Sequence, residues 1–238
     1  MNEIEFKSGV IRPVECYKEA WEIIKDQYWL IFAVTIVGMI IGGAVPVVLI
    51  GPMMCGIYLV LFSKFEGKKI EFGELFKGFE FFLPSLVLSV IIVVPVFIMM
   101  IGVYVPMIAM ALAGPRMSEG EMFTFIAATL AVELVFAVLM VCLHTLLMFA
   151  FPLLVDKKLS ATKAIKTSAK AVWKNLSGVV GLFAVGFVLA ILGYLVFCVG
   201  IYLVFPVMIA ANVAAYRKIF PATRQNFNPP TPDFYQGI

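Results

Sequence analysis

One histidine, His144, stands in 238 residues, and no Ser/His/Asp set or HExxH run is built around it. Acid–base and nucleophilic constellations are thereby excluded. No carboxylate pair has metal-ligand spacing and no glycine-rich loop could cradle a phosphate, so an enzyme is not expected. Cysteines are few as well. Cys16, Cys55, Cys142 and Cys198 lie far apart without CxxC or CxxH spacing and read as small apolar residues rather than redox or metal ligands. No metal or cofactor is expected. Charged residues make up only 14% of the chain, too few for an ordinary water-facing surface. The net charge of +3 gives no basis for a nucleic-acid partner, and none is expected.

What is present is apolar. Hydrophobic residues make up 63% of the chain and mean hydropathy is +1.04, which predicts an all-α integral membrane protein. Apolar blocks run roughly over 29–65, 81–114, 122–155 and 177–216, each longer than the ~20 residues one crossing needs. The first 28 residues carry acids and bases throughout rather than a short basic start and an apolar run. No cleaved signal is expected there, and the first block should stay in the mature protein.

Basic residues assign the sides of the membrane. Lys18 and Lys25 precede block one and Lys64, Lys68 and Lys69 follow it; Lys170 and Lys174 precede block four and Arg217 and Lys218 follow it. Each of these blocks should therefore leave and return, with turns near Pro46, Gly51 and Pro52 and near Gly193 to Gly200. Blocks two and three, flanked by Lys77 and by Lys157 and Lys158, read as one crossing out and one back. All 18 basic residues except Arg116 then lie in the cytoplasm. Six membrane segments follow, with both termini cytoplasmic, in a cell membrane of prokaryotic type.

An amphipathic segment precedes each hairpin. In the first, Val14, Tyr17, Trp21, Ile24 and Tyr28 fall on one helical face. Their counterparts before block four are Thr162, Ile165, Ala169, Val172 and Leu176, with Lys18 matched by Lys166. A second register aligns Lys68, Lys69, Ile70, Phe76 and Lys77 with Lys157, Lys158, Leu159, Ile165 and Lys166. The expected architecture is three parallel repeats of amphipathic helix plus helical hairpin. The hairpins fall at about 29–65, 81–155 and 177–217, within a membrane domain of 29–218. Residues 1–28 form an amphipathic N-terminal segment, further surface helices lie at about 70–80 and 159–175, and 219–238 is a Pro-rich, extended cytoplasmic tail. The pentapeptide GIYLV, at Gly56–Val60 and Gly200–Val204, fits this scheme only to within about one helical turn. Tyr17, Trp21, Tyr28 and Trp29 are expected at headgroup depth, in contact with membrane lipids.

The stretch over 151–183, with Asp156-Lys157-Lys158, Ala164, Ile165, Lys166 and Ser168, then Trp173-Lys174-Asn175 entering the membrane, resembles a diffuse group of uncharacterised prokaryotic membrane proteins. Among them is the membrane domain of some glycerophosphoryl diester phosphodiesterases. The resemblance covers about a third of the chain and implies multi-pass architecture. It carries over no catalytic residue, because no phosphodiesterase domain accompanies it.

Two features bear on function. Glu133 and His144 are the ionisable groups within apolar blocks, on one stripe of one helix, where a proton or small-solute relay would need them. Blocks two and three each exceed a bilayer crossing by roughly ten residues on the outer side, so the middle hairpin should project ~15 Å. Tyr104, Met107, Met110, Met122, Phe123 and Phe125 lie on that apolar surplus. Its methionines have thioethers that suit Cu(I), but no exposed His or Cys accompanies them, and they read as adaptable packing. Small pairs at Gly38 and Gly42, Ala127 and Ala131, and Gly186 and Ala190 favour close helix contacts. The leading expectation is a non-enzymatic scaffold, either a homo-oligomer or a subunit of a larger membrane complex. A transporter of a small solute, lipid or proton is the alternative. The topology has a direct check: cysteine placed at Ser118 should label from outside intact cells, and cysteine at Ser160 or Gln236 should not. Reversed accessibility would overturn the assignment.

Overall fold

The computed structural model describes residues 5–113, 116–195 and 200–221, and every regular element among them is helical. The Pro-rich tail beyond Pro221, Cys198, and part of the turn expected between Gly193 and Gly200 lie outside the described residues. The chain runs α1 (Pro13–Ile24), a 3₁₀ turn (Lys25–Gln27), α2 (Tyr28–Ala44), α3 (Pro46–Phe65), a 3₁₀ segment (Phe72–Phe81) and α4 (Phe82–Ala113). It continues through α5 (Glu119–Leu146), α6 (Ala150–Asp156), α7 (Ala161–Lys174), α8 (Leu176–Leu195) and α9 (Gly200–Ile219). Six helical runs are long and apolar enough to cross a membrane.

Local chemistry sets the boundaries. Val45 precedes Pro46, whose ring bars it from the α region. Val45 takes φ −135°, α2 stops at Ala44, and Pro46 opens α3 at the first helical position, where its missing N–H costs nothing. The first hairpin turns there; Gly51 and Pro52, expected near the turn, lie inside α3. A capping box between Ser118 and Glu121 starts α5. The third apolar block is not one uninterrupted helix. Pro152 has no N–H to give the Met148 carbonyl, and the side-chain amide of Asn212 on α9 donates to that oxygen instead, at 3.4 Å. At the same break the Ser168 hydroxyl donates to the Leu146 carbonyl at 2.7 Å and accepts from the Phe149 N–H at 3.1 Å.

The second surface segment is a 3₁₀ run rather than the α-helix expected at about 70–80. Its sequence explains this. Glu71, Glu74, Lys77 and Glu80 repeat every third residue, which lines one face at three residues per turn, and Leu75 and Gly78, also three apart, are its buried residues. It lies directly on α3: a Cβ at Gly56 would come within 1.9 Å of the Leu75 carbonyl, and one at Gly78 within 2.0 Å of the Pro52 carbonyl. Two backbones touch there because neither position has a side chain.

α1 docks by a face that shares Tyr17 and Ile24 with the expected one but is rotated towards its small residues. Cys16, Tyr17, Ala20 and Ile24 are buried, whereas Val14 and Trp21 are exposed. Small residues let α1 approach α8, where Ile11, Pro13 and Tyr17 occupy the space left by Gly178, Gly181 and Gly186. α7 buries the corresponding positions Ala164, Ser168 and Val172.

Helices α2 and α3, α4 and α5, and α8 and α9 pack as hairpins. Each surface segment lies on a hairpin other than its own: α1 on α9 and α8, the 3₁₀ segment on α3, and α7 on α6 and α5. Among the largest fully buried side chains are Met53, Ile57 and Leu61 of α3, Leu153 of α6, Phe149 just before α6 and Tyr216 of α9. The middle hairpin leaves this core. From Val94 to Leu139 no described residue is buried. Gly51, near the start of α3, lies against Ser85 and Ser89 of α4, so the Val45 turn falls near the level of Val93. α4 then continues to Ala113, about 30 Å further at 1.5 Å per residue.

Candidate functional site

The projecting part of the middle hairpin holds a groove of about 660 Å³ between α4 and α5. Its walls are apolar, with Met99, Val103, Met107, Met110, Phe125 and Leu130 among the lining residues, and Glu133 is its one ionisable group. Two residues of α4 make room for that carboxylate. Pro106 has no N–H, so the Gly102 carbonyl four residues earlier loses its helical donor, and Gly102 itself has no side chain. Glu133 Oε1 sits where a Cβ on Gly102 would come within 2.5 Å of it, while Oε2 is buried with no hydrogen-bond partner. A carboxylate therefore rests against α4 at Gly102, at the wall of an apolar groove.

Histidine 144 does not join it. Its Nδ1 lies 2.8 Å from the Met140 carbonyl of its own helix, and it does not line the groove. The two residues expected to form a relay are not assembled into one site. The expected docking surface divides in two: Tyr104, Met122 and Phe123 are exposed on the outer faces of the hairpin, whereas Met107, Met110 and Phe125 line the groove.

Aromatic residues expected at the membrane surface gather at the elbow between α1 and α2. Trp21 and Tyr28 are 5.6 Å apart by ring centroids and Tyr28 and Trp29 5.4 Å. Together with Lys25, Asp26, Leu189 and Leu203 they border an open depression of about 780 Å³. The Tyr28 hydroxyl donates to the Leu203 carbonyl, and Asp26 pairs with Lys64 at 2.6 Å. Tyr17 is the buried member of the set and donates to the Leu182 carbonyl at 3.4 Å.

A polar node at the same, charged end of the bundle as this elbow was not singled out from the sequence. Arg217 of α9 reaches Asp156 at the end of α6 and Glu66 just after α3, each at 2.9 Å. Its guanidinium lies 4.5 Å from the Phe62 ring centroid. Tyr216 donates to the second oxygen of Asp156 at 2.7 Å, and Lys157 approaches the same carboxylate at 3.3 Å. Nearby, Asn175 holds the segment before α1: its carbonyl oxygen accepts from Gly9 N–H at 2.7 Å and its amide donates to the Lys7 carbonyl at 3.1 Å. The only sequence signal for this node was that an acid or base closes each of three returning helices. Nothing in their spacing said that they meet.

Among the described residues no group of His, Cys, Asp or Glu is arranged to hold a metal ion. No family model, no curated protein and no solved structure matches the chain.

The node predicts unequal costs for its two acids. The side chain of Asp156 is 13% exposed and that of Glu66 41%. Asp156→Ala leaves Arg217 and Tyr216 without their buried partner and should cost about 3–5 kcal/mol, whereas Glu66→Ala should cost about 0–1 kcal/mol. Denaturant unfolding in detergent micelles measures both, and equal losses would contradict the assigned centre.

Proposed function

We propose that this chain is a non-enzymatic membrane scaffold that assembles through its middle hairpin, with further copies of itself or with other membrane subunits. The observation that carries this reading is the run from Val94 to Leu139 in which no described residue is buried. A turn such as Val45–Pro46 leaves helix-end carbonyls bare, and these need water or headgroups rather than hydrocarbon. With that turn at the outer boundary of the bilayer, the following stretch of α4 stands outside it, carrying Tyr104, Val105, Ile108 and Leu112 as exposed side chains. An apolar surface of that extent needs cover. On α5 the small pair Ala127 and Ala131 is also exposed, the kind of position where another helix packs closely.

The architecture supporting the scaffold is read as three copies of a unit, surface segment plus hairpin, placed with the basic ends and both termini in the cytoplasm of a cell-membrane protein. Two observations support this. The buried positions of α1 and α7 correspond as Cys16 with Ala164, Ala20 with Ser168 and Ile24 with Val172, which is the register linking them in sequence. Each surface segment packs on the hairpin of the preceding unit, and α1 of the first packs on the hairpin of the last. The units thus close into a ring.

Disulfide or bismaleimide cross-linking in native membranes tests the reading. Cysteines at Tyr104 and Phe123 should each give a discrete adduct, with a second copy or one defined subunit, while cysteine at exposed Trp29 gives none. A chain that yields no adduct and purifies alone as a monomer in mild detergent contradicts it.

A further inference from the structure

We propose that the groove between α4 and α5 binds a single-chain lipophilic primary ammonium, with its head on the Glu133 carboxylate and its chain along Met99, Val103, Met107 and Phe125. This goes beyond the scaffold reading and does not depend on it, because Tyr104, Met122 and Phe123 lie outside the groove.

Charge is the first argument. An anionic carboxylate flanked by apolar side chains is costly unless paired, and no lysine, arginine or histidine lines the groove to pair it. The missing partner is a cation. The second argument is hydrogen bonding. Glu133 Oε2 is buried without a donor. An –NH₃⁺ group carries three donors and no acceptor, so such a head group supplies the donor this oxygen lacks. A quaternary ammonium has the charge but none of the donors, and an alkyl carboxylate has the wrong sign. Shape is the third. The rest of the lining is apolar apart from Thr129, whose hydroxyl donates to the Phe125 carbonyl, and includes three methionines, Met99, Met107 and Met110, whose flexible thioethers adapt to an alkyl chain. The groove volume, about 660 Å³, lies within the roughly 300–1,000 Å³ of small-molecule sites.

The test uses the full chain in nanodiscs of zwitterionic lipid, with empty discs subtracted. Binding of dodecylammonium, dodecyltrimethylammonium, 1-dodecanol and laurate is compared at pH 7 by competition against a fluorescent alkylamine. Dodecylammonium should bind at least tenfold more tightly than dodecanol or laurate, with the trimethyl compound between. Glu133→Gln should abolish that preference while dodecanol binding persists. Gly102→Ala provides a second variant, since its methyl would lie 2.5 Å from Glu133 Oε1 and must displace the carboxylate; the preference should fall at least threefold. Equal binding of the alcohol and the ammonium by the unaltered protein, or a preference unchanged in both variants, overturns the proposal.

Discussion

Arg217 holds together the charged ends of three returning helices, and the arrangement of the bundle follows from it. A guanidinium is planar and presents its donors as a fork, so one side chain on α9 can bond Asp156 after α6 and Glu66 after α3 at the same time. Its flat face covers Phe62. A lysine, with a single compact ammonium, could not make all three contacts. Around this point Phe62, Phe149 and Phe220 stack against Tyr216 with centroids 5.0–6.3 Å apart, so the polar node is roofed by aromatic rings. The Arg217 and Asp156 side chains are only 15% and 13% exposed, which strengthens the charge-assisted bond between them.

Order declines outward from that end. Where α3, α6 and α9 meet, the surface segments wrap them: Lys218 of α9 reaches Glu19 of α1 at 3.3 Å, Ser168 of α7 mends the break between α5 and α6, and the 3₁₀ segment presses backbone to backbone on α3. Beyond Val93 the middle hairpin has only its own two helices to pack together, which is the low-stability end of such a molecule. A rigid base carrying a long apolar arm is a geometry suited to holding something at a distance from the base. Glu119 and Glu121 sit at the start of α5, whereas Glu133 lies in the inner groove of the arm.

The helical class, the six candidate crossings and the long middle hairpin were legible because they depend on length and hydropathy, which are additive along a chain. Part of the buried face of α1 was not legible. Counting large residues selected Val14 and Trp21, whereas close packing selected Cys16 and Ala20, since helix axes draw together where side chains are small. The 3₁₀ segment carried a readable signal in the three-residue spacing of Glu71, Glu74, Lys77 and Glu80, which a search for α-helical spacing passes over. The site was less legible. Glu133 stood out as an acid in an apolar run, but its neighbour Gly102 and the role of Pro106 depend on which part of α4 faces α5. Arg217, Asp156 and Glu66 are far apart in sequence, and as helix-end charges they looked like markers of sidedness.

The central claim is mechanical: the middle hairpin outreaches the one beside it. The distance between nitroxide labels at Val45 and Ala113, measured by pulsed electron resonance in nanodiscs, tests it directly. The fold predicts about 30 Å or more, since α4 continues for that length past the level of Val93. A distance below about 20 Å, under fourteen residues of helical rise, would place the two tips at one level and contradict the account.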